Sequence, residues 1–296
     1  MYAIAIHGGA GVISPKELTA DLEKQYRQGL KEALEAGYNI LEKGGSALDA
    51  VQAAVASLED NELFNAGKGS AFTSEETHEL EASIMCGKRL DGGAACGLKN
   101  IKNPILLART VLEKSHHLFL NGQGAELFAD AHNLEFVPVE YFYTEKEFKE
   151  LQEYKSKQGI GTGTVGAVAI DSEGNLASAT STGGLTNKRF GRIGDTPILG
   201  AGTYANNTTC AVSCTGDGEY FIRSVAAYDV SALLEYKGLS LKEACIEVVI
   251  NKLKKLGGEG GLIAIDRQGN IEMVFNGEGM YRGCKKQGNQ AETFIY

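Results

Sequence analysis

Gly161-Thr-Gly-Thr-Val-Gly-Ala-Val-Ala-Ile170 is the stretch on which the reading of this chain turns. Its first six letters match the dinucleotide fingerprint G-x-G-x-x-G, so a nicotinamide-cofactor reading has to be faced first. That fingerprint works only between a strand and a helix, because the pyrophosphate rests on a helix N-terminus. Here the preceding segment, 141–158, is charged and lacks sustained apolar periodicity, and it reads as a solvated helix or a mobile linker. The chain beyond the glycines reads as β structure: Thr164 to Ile170 and Leu176 to Thr182 flank Asp171-Ser-Glu-Gly-Asn175 as a hairpin. The cofactor reading fails on both flanks, and a junction between flexible chain and rigid strand is left at Gly163-Thr164.

Such a junction suits one kind of chemistry. A threonine hydroxyl is a weak nucleophile that a free α-amine on the same residue can activate. An α-amine titrates near 7.7 to 8.0, so about one in ten is neutral at pH 7, against about one in 2,500 for a lysine. A threonine in mid-chain has only a non-basic amide, so the bond before it must break. Gly163 tolerates the strained backbone that would push its carbonyl toward the Thr164 hydroxyl.

Outward from the hairpin the same design returns. Leu262 to Phe275 repeats the Ala-Ile-Asp-x-x-Gly-Asn turn of 169–175, as expected where two hairpins fill similar places in stacked sheets. Ala3 to His7 reads as a buried strand ending in a turn at Gly8-Gly9-Ala10-Gly11. A helix capped by Ser14, with Pro15 and Glu17, carries Leu18, Leu22, Tyr26, Leu30 and Leu34 every fourth residue up to Gly44-Gly45. Ser46 and Asp49 open a second helix to about Leu58, and Asn103 to Lys114 and Gln123 to His132 also read as helices. Ile222 to Tyr236 and Ser240 to Leu256 read as amphipathic helices, the latter capped by Ser240 with Glu243. Helices outside two facing sheets is the architecture this order predicts.

Composition bounds the rest. The 296 residues are 43% hydrophobic and 23% charged, which fits a soluble globular chain of one large domain or two small ones and excludes disordered and collagenous classes. A net charge of −9, with no long Lys/Arg run, makes nucleic acid a poor partner and leaves a small polar substrate open. No stretch approaches the roughly 18 apolar residues of a membrane span, and Met1 to Gly9 lacks signal-peptide character, so no membrane role and a cytoplasmic location are expected. The six cysteines form no Cys-x-x-Cys pair and read as buried free thiols. The five histidines form no H-E-x-x-H, and no G-x-S-x-G elbow exists. His116 and His117 read as a helix end and its loop, with no role.

Ordered motifs then carry a resemblance. His7-Gly-Gly-Ala-Gly11, Leu63-Phe-Asn-Ala-Gly67, His78-Glu-Leu-Glu-Ala82, Gly163-Thr-Val-Gly-Ala-Val-Ala169, Thr180-Ser-Thr-Gly-Gly184, Gly191-Arg-Ile-Gly-Asp195, Gly200-Ala-Gly202, Ser213-Cys-Thr-Gly-Asp-Gly218 and Glu278-Gly-Met-Tyr281 span nearly the whole chain. Together they resemble the plant-type L-asparaginase and isoaspartyl aminopeptidase family of N-terminal nucleophile hydrolases. The resemblance implies an α+β four-layer αββα sandwich, cut between Gly163 and Thr164 into an α subunit, 1–163, with a mobile linker over about 141–163, and a β subunit, 164–296. It makes Thr164 the nucleophile, Thr182 the hydroxyl that orients it, and Asn65 a residue close to the nucleophile that helps fix it. Thr215 and the Gly216 N–H would form the oxyanion hole. Arg192 would hold the substrate α-carboxylate, and Asp195 with the Gly218 carbonyl the α-ammonium. Backbone carbonyls of Leu58, Glu59, Asn61, Phe64, Ala66 and Lys68 would bind a structural sodium ion, with no catalytic cofactor. A dimer of α–β pairs is implied as well.

Three features depart from the family pattern: Glu81 where Asp is usual, Lys68 where an apolar residue is common, and a shorter linker before Thr164. The expected activity is release of L-aspartate from L-asparagine and β-aspartyl dipeptides. Two alternatives stay open: a glycosylasparaginase-like hydrolase, and a catalytically silent amino-acid-binding homologue.

Overall fold

The structure, a computed structural model, describes residues 1–11, 18–157 and 163–296. Its elements are β1 (Ala3–Gly11), α1 (Ala20–Glu42), α2 (Ala47–Glu59), β2 (Leu80–Cys86), β3 (Asp91–Leu98), α3 (Pro104–Lys114), β4 (Phe119–Asn121), α4 (Gly122–Ala131) and α5 (Glu145–Lys157). Next come β5 (Val165–Ile170), β6 (Leu176–Thr182), β7 (Thr203–Ala205), β8 (Cys210–Gly216), α6 (Gly218–Ser224), α7 (Ala226–Lys237), α8 (Leu241–Ile246), α9 (Lys254–Leu256), β9 (Gly260–Asp266), β10 (Ile271–Phe275), β11 (Gly279–Lys286) and β12 (Glu292–Phe294). One sheet has the order β12-β11-β1-β5-β6-β2-β3-β4 and the other β10-β9-β8-β7. Every pairing is antiparallel except β3 with β4.

Strand periodicity sorts the core. On β1, Ile4 and Ile6 face α1 and α2, while Ala3 and Ala5 face the second sheet. On β5, Val165, Ala167 and Ala169 join the helix side and Val168 and Ile170 the inter-sheet side. On β8 and β9, Val212, Cys214, Leu262 and Ala264 meet α7 and α8, while Ala211, Ile263 and Ile265 turn inward. Strands buried on both faces therefore read as near-continuous apolar runs, and the small inward residues let the sheets approach.

The repeated turn is realised twice by one mechanism. Asp171 Oδ1 accepts from the Glu173 and Asn175 N–H groups, and Asp266 Oδ1 from those of Gln268 and Asn270. These are Asx turns in which the aspartate substitutes for backbone acceptors. The capping box of Ser240 with Glu243 is present, and Ser46 caps α2.

Several expectations are corrected. The Gly8–Gly11 run continues β1 as a strand, with a register shift between His7 and Gly9, because β11 goes on pairing with it after the β5 pairing ends at His7. The first helix begins at Ala20, where Thr19 accepts from the Leu22 N–H. The Ser14, Pro15 and Glu17 signals lie outside the described residues. Ile222 to Tyr236 is broken at Val225, which takes a left-handed conformation between α6 and α7. The segment after α8 passes through a π-helical turn, Glu247–Leu253. Within the charged stretch, α5 is a helix that buries Leu151 and Glu147, and residues 158–162, including the first fingerprint glycine, lie outside the described residues.

Candidate active site

Thr164 sits just before β5 and is buried, beside Thr182 at the end of β6. The Thr164 hydroxyl donates to Thr182 Oγ1 at 3.3 Å. Thr182 Oγ1 also accepts from the Gly184 N–H at 2.9 Å and donates to the Gly163 carbonyl at 3.0 Å. Asn65 Nδ2 donates to that same carbonyl at 3.0 Å and to the Gly184 carbonyl at 2.8 Å, while its Oδ1 accepts from the Ala71 N–H. The carbonyl preceding Thr164 thus receives two side-chain donors, the arrangement that stabilises an oxyanion on it. This places Gly163, Thr164, Thr182 and Asn65 in one hydrogen-bonded group.

A second group forms where β8 runs into α6. A side-chain carbon on Gly218 would lie 2.8 Å from Arg192 Nη2 and 2.8 Å from Asp195 Oδ1, so these three expected residues adjoin. Asp195 is buried, and its Oδ2 has no hydrogen-bond partner among the described residues. Burial pushes its carboxyl up to about 7, against the counter-pull of its own backbone N–H and of Arg192. A buried acceptor left open in this way suits an incoming ammonium group. Thr215 meets the first group indirectly: its Oγ1 accepts from the Ala10 N–H at 3.1 Å, and Gly9 on the same strand lies against Gly163 and Thr164.

Two partners escaped the sequence. Glu219 takes Nε and Nη2 of Arg192 at 2.9 and 2.8 Å, so one edge of the fork is already occupied and a substrate carboxylate would meet the Nη1 end. Lys188 and Glu81 form a buried pair at 3.4 Å; Lys188 also donates to the Glu79 carbonyl, and Glu81 Oε2 accepts from the Gly194 N–H. The glutamate that departs from the family pattern therefore fixes the loop between Arg192 and Asp195. No local spacing marks either pair, since their members lie 27 and 107 residues apart.

The expected cation loop can be tested on its backbone. A side-chain carbon on Gly67 would collide with the Glu59 carbonyl, and one on Gly69 with those of Phe64 and Glu62. The bare glycines thus let the backbone pass close to the carbonyls of Glu59 and Phe64, two of the expected set, and of Glu62, hard oxygen donors of the kind an alkali cation takes. No cluster of His, Cys, Asp and Glu side chains that could hold a metal occurs among the described residues. Lys68 turns its side chain outward to Glu62, which leaves its carbonyl role independent of its charge. The Glu59 carboxyl is buried beneath, bonded to Ser181 Oγ and the Ile105 N–H, and burial raises it to about 8.

A family described as Asparaginase matches residues 1–295. The chain is similar to the isoaspartyl peptidase of Escherichia coli (strain K12), 51% identical over 99% of this chain and 95% of that protein. It is 48% identical to the isoaspartyl peptidase of Salmonella typhimurium over 99% of this chain and 98% of that one. The isoaspartyl peptidase/L-asparaginase of Xenopus laevis is 45% identical over 92% and 88%.

Proposed function

Because the chain belongs to the asparaginase family, we propose that it is a hydrolase releasing L-aspartate from L-asparagine and β-aspartyl dipeptides, activated by cutting itself between Gly163 and Thr164. The observation that carries this reading is the Thr164 hydroxyl bonded to Thr182, beside a Gly163 carbonyl held by Asn65 and Thr182. In self-cleavage the Thr164 oxygen attacks the Gly163 carbonyl carbon, and its proton passes to the departing amide nitrogen. Asn65 Nδ2 and the Thr182 hydroxyl stabilise the oxyanion. Water then hydrolyses the resulting ester, leaving a Gly163 carboxylate and a Thr164 with both a free hydroxyl and a free α-amine.

In turnover that α-amine takes the hydroxyl proton as Oγ1 attacks the side-chain amide carbonyl of the substrate. Thr215 and the Gly216 N–H donate to the new oxyanion, and the proton goes on to the departing ammonia or amine. Water cleaves the β-aspartyl ester and aspartate leaves. Arg192 takes the α-carboxylate, and Asp195 with the Gly218 carbonyl the α-ammonium. A sodium ion in the cradle of Leu58, Glu59, Asn61, Phe64, Ala66 and Lys68 carbonyls would supply fixed positive charge that rigidifies the loop bearing Asn65.

Two sheets with helices on their outer faces support a four-layer αββα sandwich of the N-terminal nucleophile type, with 1–163 and 164–296 as its two subunits. The assembly is a dimer of such pairs, acting in the cytoplasm; no helix among the described residues is long and apolar enough to cross a membrane. Aspartate release from L-asparagine and from a β-aspartyl dipeptide tests the reading. Release from both is expected, and release from neither by cleaved protein contradicts it.

A further inference from the structure

His7 is a fully buried imidazole on β1, between the two sheets, and neither self-cleavage nor turnover uses it. Its Nδ1 lies 2.9 Å from the Thr164 carbonyl oxygen and its Nε2 2.8 Å from Ser213 Oγ. A carbonyl can only accept, so Nδ1 carries the proton. Burial drives the ring toward its neutral form, holding its pKa down at about 3, and Nε2 then accepts from the Ser213 hydroxyl.

The donation runs back through the inter-sheet space. Ser213 Oγ lies 2.7 Å from Thr180 Oγ1, Thr203 donates to Thr180 at 2.6 Å, and Ser83 contacts Thr203 at 2.8 Å and the Thr196 carbonyl at 2.6 Å. One direction of donation, Thr203 to Thr180 to Ser213 to His7, therefore ends on the Thr164 carbonyl, while the Ser83 proton goes to the Thr196 carbonyl. All of these side chains are buried, where aligned hydrogen bonds reinforce one another. Gly166 makes the junction possible: a side-chain carbon there would collide with both His7 Nε2 and Ser213 Oγ.

Cleavage changes what holds Thr164. Once the Gly163–Thr164 bond breaks, the grip of Asn65 and Thr182 on the Gly163 carbonyl no longer fixes Thr164. Thr164 also precedes the first ladder pair of β5, Val165 with Ser181. Among the described residues, the hydrogen bonds left to it are its hydroxyl to Thr182 and its carbonyl to His7. We infer that His7 is a positioning residue that clamps the carbonyl of the newly terminal Thr164, so that its α-amine and hydroxyl stay aimed together at the substrate. The inference rests on Thr164 being the exposed nucleophile.

The test compares wild type with His7→Leu, His7→Asn and Ser213→Ala, each checked for cleavage by intact mass before kinetics on L-asparagine. His7→Leu removes the donor, and kcat is expected to fall by about 10- to 100-fold with KM little changed, because Arg192 and Asp195 are untouched. His7→Asn places an amide N–H near the Nδ1 position and should recover most of that loss. In wild type, ¹⁵N-histidine NMR should show His7 neutral with the proton on Nδ1 down to pH 5. Ser213→Ala removes the hydroxyl that donates to Nε2 and so weakens the aligned Nδ1–H bond; it should lower kcat severalfold with the proton still on Nδ1, which decides the matter if His7→Leu does not fold. Wild-type kcat in cleaved His7→Leu or Ser213→Ala, no advantage of His7→Asn over His7→Leu, or an Nε2–H tautomer in wild type overturns the clamp alone. A wild type that stays uncut overturns the nucleophile reading and the clamp with it.

Discussion

Burial sets the charge balance of the site residue by residue, and Asp195 shows it most clearly. Its carboxyl is held near 7 chiefly by desolvation, with one oxygen lacking a partner among the described residues. Since the folded value lies above the unfolded one, ionised Asp195 disfavours folding: its contribution to stability is greatest below the unfolded pKa and is lost as pH rises through about 7. Asp195→Asn should therefore raise Tm at pH 8, with the gain shrinking as pH is lowered to 5, while KM for L-asparagine rises steeply. In the wild type, kcat/KM should decline as pH falls below about 7, where the free enzyme loses the carboxylate that receives the α-ammonium. A profile flat from pH 8 to 5.5, or an Asn variant with unchanged KM, contradicts this role. The same residue shows what sequence could convey: its type and motif position suggested a receptor for ammonium, but its raised pKa comes from packing that no spacing encodes.

Elements act by presenting backbone and by clamping loops. The end of α2 and the loop after it turn carbonyls into a cradle kept open by Gly67 and Gly69. Wild type is expected to show a higher Tm in sodium chloride than in choline chloride, and Gly69→Ala should abolish that rise; an equal sodium effect in both, or none in wild type, speaks against the cradle as the cation site. The strand β2 and the loop after β6 are joined by Lys188 and Glu81, buried together, with Glu81 fixing the Gly194 N–H. Lys188→Met leaves a buried carboxylate uncompensated and should cost about 3 to 5 kcal/mol of stability by denaturant unfolding. A loss under about 1 kcal/mol would show the pair to be solvent-screened like a surface bridge. Strands, hairpins and most helices were legible because alternation and capping are local signals: the two Asx turns and the Ser240–Glu243 box are instances. The left-handed break at Val225 and the π turn after α8 were not, since an apolar face of helical period runs through both. Glu219 and Lys188 were missed for another reason, that their partners are distant in sequence and adjacent only after folding.

At the scale of the whole molecule, the fold of β5, β6 and β8 sets a threonine in mid-chain and its preceding carbonyl against Thr182 and Asn65, and sets Gly218, just beyond β8, against Arg192 and Asp195. The expected position of the cut comes from Gly163-Thr164 and the motifs around it, whereas the donors on the Gly163 carbonyl appear only when Asn65 and Thr182 fold against it. Every role assigned to the site presupposes that the chain divides there and that residue 164 becomes a terminus. Intact-mass spectrometry with N-terminal sequencing of purified protein, beside Thr164→Ala, tests that most directly. Two fragments are predicted for the wild type, one ending at Gly163 and one beginning with Thr164, and a single whole chain for the variant. An active wild type that remains one chain beginning at Met1, or a variant that still divides, would contradict self-cleavage at this bond.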